Sequence, residues 1–193
     1  DKRRDIQRNH TATHILHKVL REKLGSHVEQ SGSLVDNDKL RFDFSHFESI
    51  SRIVLDEIEK EVNDVILSNI PVIIGYENIQ TAKDRGAMAL FSDKYGDVVR
   101  VVEVPGFSVE LCGGSHVGNT AFISSFRLTS EAGIGSGVRR IEAITGRAAL
   151  DAAKHDRLTI ERMAGELKTK APQVEERLHQ VLAEAKETAK ELE

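Results

Sequence analysis

The chain has 193 residues, 39% of them hydrophobic and 30% charged, with a net charge of −4 and a pI near 6.1. These are ordinary globular proportions, which exclude a disordered tract or a fibrous repeat, and the mild acidity excludes the basic footprint of a dedicated nucleic-acid-binding domain, so any RNA contact is expected to be local. No apolar run approaches the roughly 20 residues of a membrane span and no signal-like stretch opens the chain, which predicts a cytoplasmic protein without membrane contact; the single cysteine, Cys112, excludes an internal disulfide.

The charged opening from Asp1 to Asp5 reads as the lead into a helix within a longer protein. Apolar residues at Ala12, Leu16, Val19, Leu20 and Leu24 then recur close to the helical period, predicting a helix over Ile6 to Leu24 with Gly25 as its stop. Val28 to Val35 and Leu40 to Phe44 flank the turn-like Asp36-Asn37-Asp38 and predict a hairpin. Ser51 is placed to cap a helix running to about Ser68, with a stripe of Ile53, Ile58, Val62, Val65 and Ile66, and Pro71 blocks its continuation. Val72 to Tyr76 reads as a short buried strand and Asn78 to Asp84 as a short helix. Four more strands are expected: Val98 to Val104 and Phe107 to Leu111 around Pro105-Gly106, then Phe122 to Leu128 and Val138 to Ile144 around Gly133, Gly135 and Gly137. The α+β portion should end near Thr145. Beyond it, Arg147 to Lys168 and Gln173 to Glu193 have helical period and break at Pro172, and Val174, Leu178, Val181, Ala185 and Leu192 form a seam. The short turn between the two predicts an antiparallel helical hairpin.

His10 and His14 stand four apart on the first predicted helix, so both imidazoles leave one face, as a metal site requires. Taken alone, such a pair is more often a surface or capped histidine pair than a ligand pair. The second stretch is Cys112-Gly113-Gly114-Ser115-His116, where two glycines let the backbone curl until a thiolate and an imidazole face one point. Three histidines and one soft thiolate complete a tetrahedral set suited to zinc. His17 continues the face of His14 and is assigned to packing or to orienting a ligand. A helical His pair of this spacing is also the metalloprotease arrangement, but that motif needs Glu directly after the first His and this chain has Thr11.

His10-Thr11-Ala12-Thr13-His14 with Cys112-Gly113-Gly114-Ser115-His116 resembles the paired motifs of the alanyl-tRNA synthetase editing domain. The similarity extends to Val28-Glu29-Gln30, Gly32 to Val35, Leu40 to His46, Phe91 to Val102 and Gly133 to Gly146, and so covers about residues 6 to 146 in order. It implies the threonyl- and alanyl-tRNA synthetase second-additional-domain fold: a mixed or antiparallel sheet packed with helices around zinc held by His10, His14, Cys112 and His116, followed by the helical hairpin. The domain division expected is 1–146 for a zinc-binding editing domain and 147–193 for a helical linker or coiled-coil start.

The activity implied is deacylation of alanine-specific tRNA carrying serine, or glycine, by water attack on the aminoacyl ester. Catalytic roles fall to Thr13, Gln30 and Cys112, with Thr13 and Gln30 reading the serine hydroxyl or placing the water. Gly135, Arg139 and Arg140, beside the glycine-rich loop, are the expected tRNA contacts. The partners implied are tRNA, the rest of a synthetase chain and a second copy through the C-terminal helices. The alternative is a structural zinc module that docks tRNA or oligomerises without hydrolysis.

Overall fold

A computed structural model describes residues 1–88 and 96–191. It divides into two compact units, Asp1–Ala149 and Leu150–Glu193.

The first unit begins with helix α1, Lys2–Leu24, then strands β1, Gln30–Val35, and β2, Leu40–Ser45. Helix α2, Arg52–Leu67, strand β3, Ile73–Asn78, and helix α3, Ile79–Asp84, follow. Strands β4, Val98–Val104, and β5, Ser108–Leu111, precede a 3-10 turn at Thr120–Ile123, and β6, Phe126–Gly135, and β7, Val138–Thr145, lead into helix α4, Gly146–Glu166. Two antiparallel sheets result, ordered β1-β2-β7-β6 and β3-β4-β5, where one sheet was expected. Of the Phe91 to Val102 stretch that carries part of the resemblance, residues 91–95 lie outside the described residues.

Helix α1 starts four residues before the expected Ile6 because Asp1 caps it, its carboxylate accepting from the Arg3 amide. Its middle is buried on almost every side: Ile15, Leu16, Val19 and Leu20 join the core with Phe42, Phe44, Ile58 and Val62. Full burial of such side chains is worth roughly 1.5–3 kcal/mol each, whereas exposed ion pairs contribute under about 1 kcal/mol, so packing fixes α1. Asn9 adds direction: its amide donates to the Asp36 carbonyl at 2.8 Å and its oxygen accepts from the Thr145 hydroxyl at 2.6 Å. One helix is thereby tied to the β1–β2 turn and to the end of β7.

Other expectations need correction. Ser51 caps α2 as expected, but Ile53 is 73% exposed and only Ile58, Val62, Val65 and Ile66 of its stripe are buried. Strand β3 is not buried: it forms one edge of its sheet, and Ile73, Ile74 and Tyr76 face outward. The segment from Phe122 is a 3-10 turn rather than a strand, closed by Ser124 at φ 75°, and Gly133 and Gly135 lie inside β6, leaving the β6–β7 turn at residues 136–137.

The second unit contains the body of α4, a 3-10 turn at Ala171–Gln173 that includes Pro172, and α5, Val174–Glu191. Leu192, the last position of the expected seam, lies outside the described residues. Leu182 on α5 is 59% exposed and Leu178 is also exposed. Two helices joined by a short turn are present as expected, and the apolar seam of an antiparallel hairpin is not closed among the described residues. No helix among the described residues is long and apolar enough to cross a membrane.

Candidate metal centre

Helix α1 supplies His10 and His14, one turn apart, and the loop after β5 supplies Cys112 and His116. One ligand atom from each of the four lies within 4.8 Å of all the others. Cys112 Sγ is 3.4 Å from His10 Nε2, and the ring centroids of His10 and His116 are 4.2 Å apart. Around a zinc ion with ordinary N and S bond lengths, tetrahedral ligand atoms stand roughly 3.3–3.6 Å apart, so the four are nearly gathered.

The loop is held from beneath. Arg100 on β4 donates through Nη1 to the carbonyls of Cys112 and Gly114, both at 2.7 Å, and its own carbonyl accepts from the Cys112 amide. The Gly114 amide donates to Cys112 Sγ at 3.4 Å, a contact that favours the thiolate. A Cβ on Gly114 would fall 2.0 Å from His10 Cε1, so the backbone approaches the imidazole as only glycine permits.

Hydrogen bonding also fixes which nitrogen of two histidines faces the cluster. The Thr11 hydroxyl spends its proton on the Gln7 carbonyl at 2.9 Å, so its oxygen accepts from His116 Nδ1 at 3.1 Å and from the Val117 amide at 3.2 Å. His116 Nε2 is left buried without a hydrogen-bond partner, a lone pair aimed into the cluster. His14 Nδ1 lies 3.2 Å from Glu110 Oε2, which leaves Nε2 for the same point. Burial keeps the rings neutral: it lowers His10, drives His14 far below the usual imidazole range, helped by the neighbouring imidazoles, and takes His116 down to about 3. Burial raises the Cys112 thiol and pushes Glu110 up to about 8. Three neutral imidazoles, one of them with its buried Nε2 unpartnered, and a thiol form a donor set that fits a soft-tolerant divalent ion such as zinc.

The other expected residues are distributed differently. Thr13 is buried on α1 between the two histidines, and its hydroxyl donates back to the Asn9 carbonyl at 2.8 Å. Gln30 opens β1, half-buried, with its amide 3.3 Å from Ser33 Oγ. Arg140 grips Asp43 through two bonds of 2.7 and 2.8 Å, and Arg139 pairs with Glu131, so both guanidinium charges are engaged within the sheet. Gly135 ends β6 in an exposed position. His17 packs against Phe42 with neither ring nitrogen hydrogen-bonded, which makes it a core residue.

Three features escaped the sequence reading: Thr11, Glu110 and a cleft. Strand alternation puts positions 110 and 112 on one side, a signal that was available for Glu110. The cleft, about 600 Å³, is lined by Arg4, Gln7, Arg8, His116, Gly118 and Phe122 among others, so one cluster residue also borders open space. Phe122 is 64% exposed there. Arg8 is braced by Asp5 at 2.6 Å and by the Phe122 carbonyl at 2.9 Å, while Arg4 is exposed and reaches Asp1 only at 4.0 Å.

A family model, Threonyl and Alanyl tRNA synthetase second additional domain, matches residues 99–142, the part that includes Cys112 and His116. Curated relatives extend the likeness to the whole chain. An alanine–tRNA ligase of Hydrogenovibrio crunogenus is 54% identical over 190 residues, covering 98% of this chain and 22% of that protein. The alanine–tRNA ligases of Fusobacterium nucleatum and Bacillus subtilis are 51% and 49% identical, covering 100% and 98% of this chain and 22% of each relative. The chain thus spans about a fifth of the length of the relatives it matches. With identity near one half along its whole length and the paired His and Cys-His motifs in place, the chain belongs to the alanyl-tRNA synthetase family, as the region that carries the second additional domain.

Proposed function

We propose that this region hydrolyses the ester that joins serine to alanine-specific tRNA, with glycine as a second substrate, through a zinc centre held by His10, His14, Cys112 and His116. The observation that carries the reading is the four-donor cluster with one member, His116, on the wall of an open cleft. The cleft falls in the 300–1,000 Å³ range of small-molecule sites. A synthetic pocket shaped for alanine cannot exclude glycine and discriminates only about 100-fold against an added hydroxyl, so a second, hydrolytic site has a task.

In this reading the acceptor end occupies the cleft, where Phe122 offers a ring face to a base and Arg4 a charge to a phosphate. That differs from the expected contacts at Gly135, Arg139 and Arg140, whose arginines are already paired. Zinc bound at the cluster would supply Lewis acidity to the reacting ester or its water. Thr11 and Arg100 hold the donors in position, Cys112 contributes the thiolate, and Thr13 and Gln30 remain the candidates for sensing the substrate hydroxyl. Thr13 has its proton committed to Asn9, so it would act as an acceptor. Residues 1–146 form the editing portion and 147–193 the helical connection to the rest of a synthetase chain, and tRNA and that remaining chain are the partners this function requires.

The second reading, a structural zinc module, draws on the burial of His14 and His116 and on a complete set of four protein ligands, the pattern of closed sites. Release of labelled amino acid from Ser-tRNA and Ala-tRNA specific for alanine, with enzyme in excess, separates the two. Serine released well above the no-enzyme rate with alanine spared is the expected result, together with about one zinc per chain. Zinc without any excess release would leave the structural module. Gln30→Ala should keep zinc and lose the preference for serine.

A further inference from the structure

Glu110 is 2% exposed on β5, with Oε2 3.2 Å from His14 Nδ1 and Oε1 sealed from water without a hydrogen-bond partner. A carboxylate removed from water and left half-satisfied is costly unless it meets positive charge. The described neighbours do not supply it. The guanidinium of Arg100 is turned to the carbonyls of Cys112 and Gly114, not to Glu110. Cys112, two residues further along the chain in the loop after β5, would add a second negative charge on becoming a thiolate.

This arrangement suits a filled core better than an empty one. A thiolate and a carboxylate set two negative charges against a divalent ion beside the Arg100 guanidinium, which is bonded only to neutral carbonyls. We propose that Glu110 is the positioning residue of the metal centre: its carboxylate accepts a hydrogen bond from His14 Nδ1–H, turning Nε2 toward the ion, and sets a negative charge behind that ligand. The assignment rests on the zinc reading of the cluster and is independent of whether the region hydrolyses an ester. It also accounts for an otherwise orphaned oxygen, because near a cation the bare Oε1 lies in a favourable field.

The test is zinc affinity, measured by chelator competition on the metal-free full chain. Glu110→Gln keeps the shape and removes the charge; the expected result is a 10- to 100-fold loss of affinity, the usual cost of losing a partner of a ligating histidine. Thermal unfolding of the metal-free variant should match wild type, since glutamine fills the same space and Oε1 makes no hydrogen bond to lose. Cobalt substituted for zinc should retain its thiolate-to-metal absorption in the variant, with altered ligand-field bands. Affinity within twofold of wild type overturns the proposal, as does a metal-free protein destabilised in step with the loss of affinity, which would make Glu110 a folding residue. If Glu110→Gln does not fold, Glu110→Asp replaces it: the charge stays but the reach to His14 shortens, so affinity should fall severalfold, and wild-type affinity would refute the role. Failure of wild type itself to bind zinc would instead remove the underlying reading. Zinc binding without ester hydrolysis, with Glu110→Gln still weakened, would support Glu110 while removing the editing function.

Discussion

At Gly114 the chain comes so close to His10 that a single methyl group has nowhere to go: its carbon would lie 2.0 Å from Cε1 and 2.5 Å from Nδ1. At Gly113 the same carbon would meet nothing within 4 Å. Gly114→Ala should therefore displace the imidazole and lower zinc affinity at least tenfold, about 1.4 kcal/mol, with all four ligands still present, whereas Gly113→Ala should bind zinc nearly as wild type does. Metal titration of the two variants checks this, and equal affinities would show that the loop yields rather than the ring. The contrast marks what was legible among the site residues. The spacing of His10 and His14 and the Cys-Gly-Gly-Ser-His run are local, and local patterns survive in one dimension. Thr11 figured only as the residue that is not Glu, because its role depends on a bond to His116 across 105 positions. Arg139 and Arg140 read as available cations because their partners, Glu131 and Asp43, lie on neighbouring strands whose pairing no local pattern specifies.

Helix α1 carries most of the chemistry, and its burial extends to a residue with no evident use for its nitrogens. His17 lies against Phe42, and burial, aided by Arg21 and opposed by the Val28 backbone, lowers it from the ordinary 6.5 to about 4. A base whose folded value is depressed takes up its proton more readily in the unfolded chain. Its stability contribution is complete above pH 6.5 and is lost as pH falls from 6.5 towards about 4. At about 1.4 kcal/mol per pH unit, His17 alone should remove roughly 2 kcal/mol of wild-type stability between pH 7.5 and pH 5. His17→Leu should match or exceed wild type at pH 7.5 and be ahead by roughly that amount at pH 5. Urea unfolding of both metal-free proteins at the two pH values measures the difference, in which the ligand imidazoles cancel because both proteins carry them. Parallel pH profiles would mean that His17 is hydrated or hydrogen-bonded after all. Other elements announced themselves by their ends: Ser51 and Asn78 cap α2 and α3, because a side-chain acceptor before a periodic run has a local cause. The exposed β3 did not, since an apolar run looks alike at a sheet edge and in a core. Nor did the Thr120–Ile123 turn, whose position is fixed by bonds from the Thr120 amide and hydroxyl to Ile70 and Val65.

Across the whole molecule, the candidate centre closes a long loop: Cys112 and His10 are 102 positions apart, one on each side of the hairpin, α2 and the second sheet. An ion there would tie α1 to the β5 loop in the folded chain and find no such set in the unfolded one, so occupancy should convert into stability. At a free zinc concentration of 100 times Kd the gain is about 2.7 kcal/mol, which for a chain of this size raises Tm by roughly 5–10 °C. Scanning calorimetry with and without a strong chelator reads the shift directly. The effect belongs to the Asp1–Ala149 unit, which contains every ligand, whereas Leu150–Glu193 contributes none. A helical signal from the second unit that melts apart from the zinc-sensitive transition would give two steps, of which chelation moves one. A chelator shift below about 1 °C in either step, for protein first shown to carry zinc, would mean that the unfolded chain holds the ion about as tightly as the folded one, because an ion bound only by the folded state must stabilise it however firmly Arg100, Thr11 and Asn9 already fix the donors.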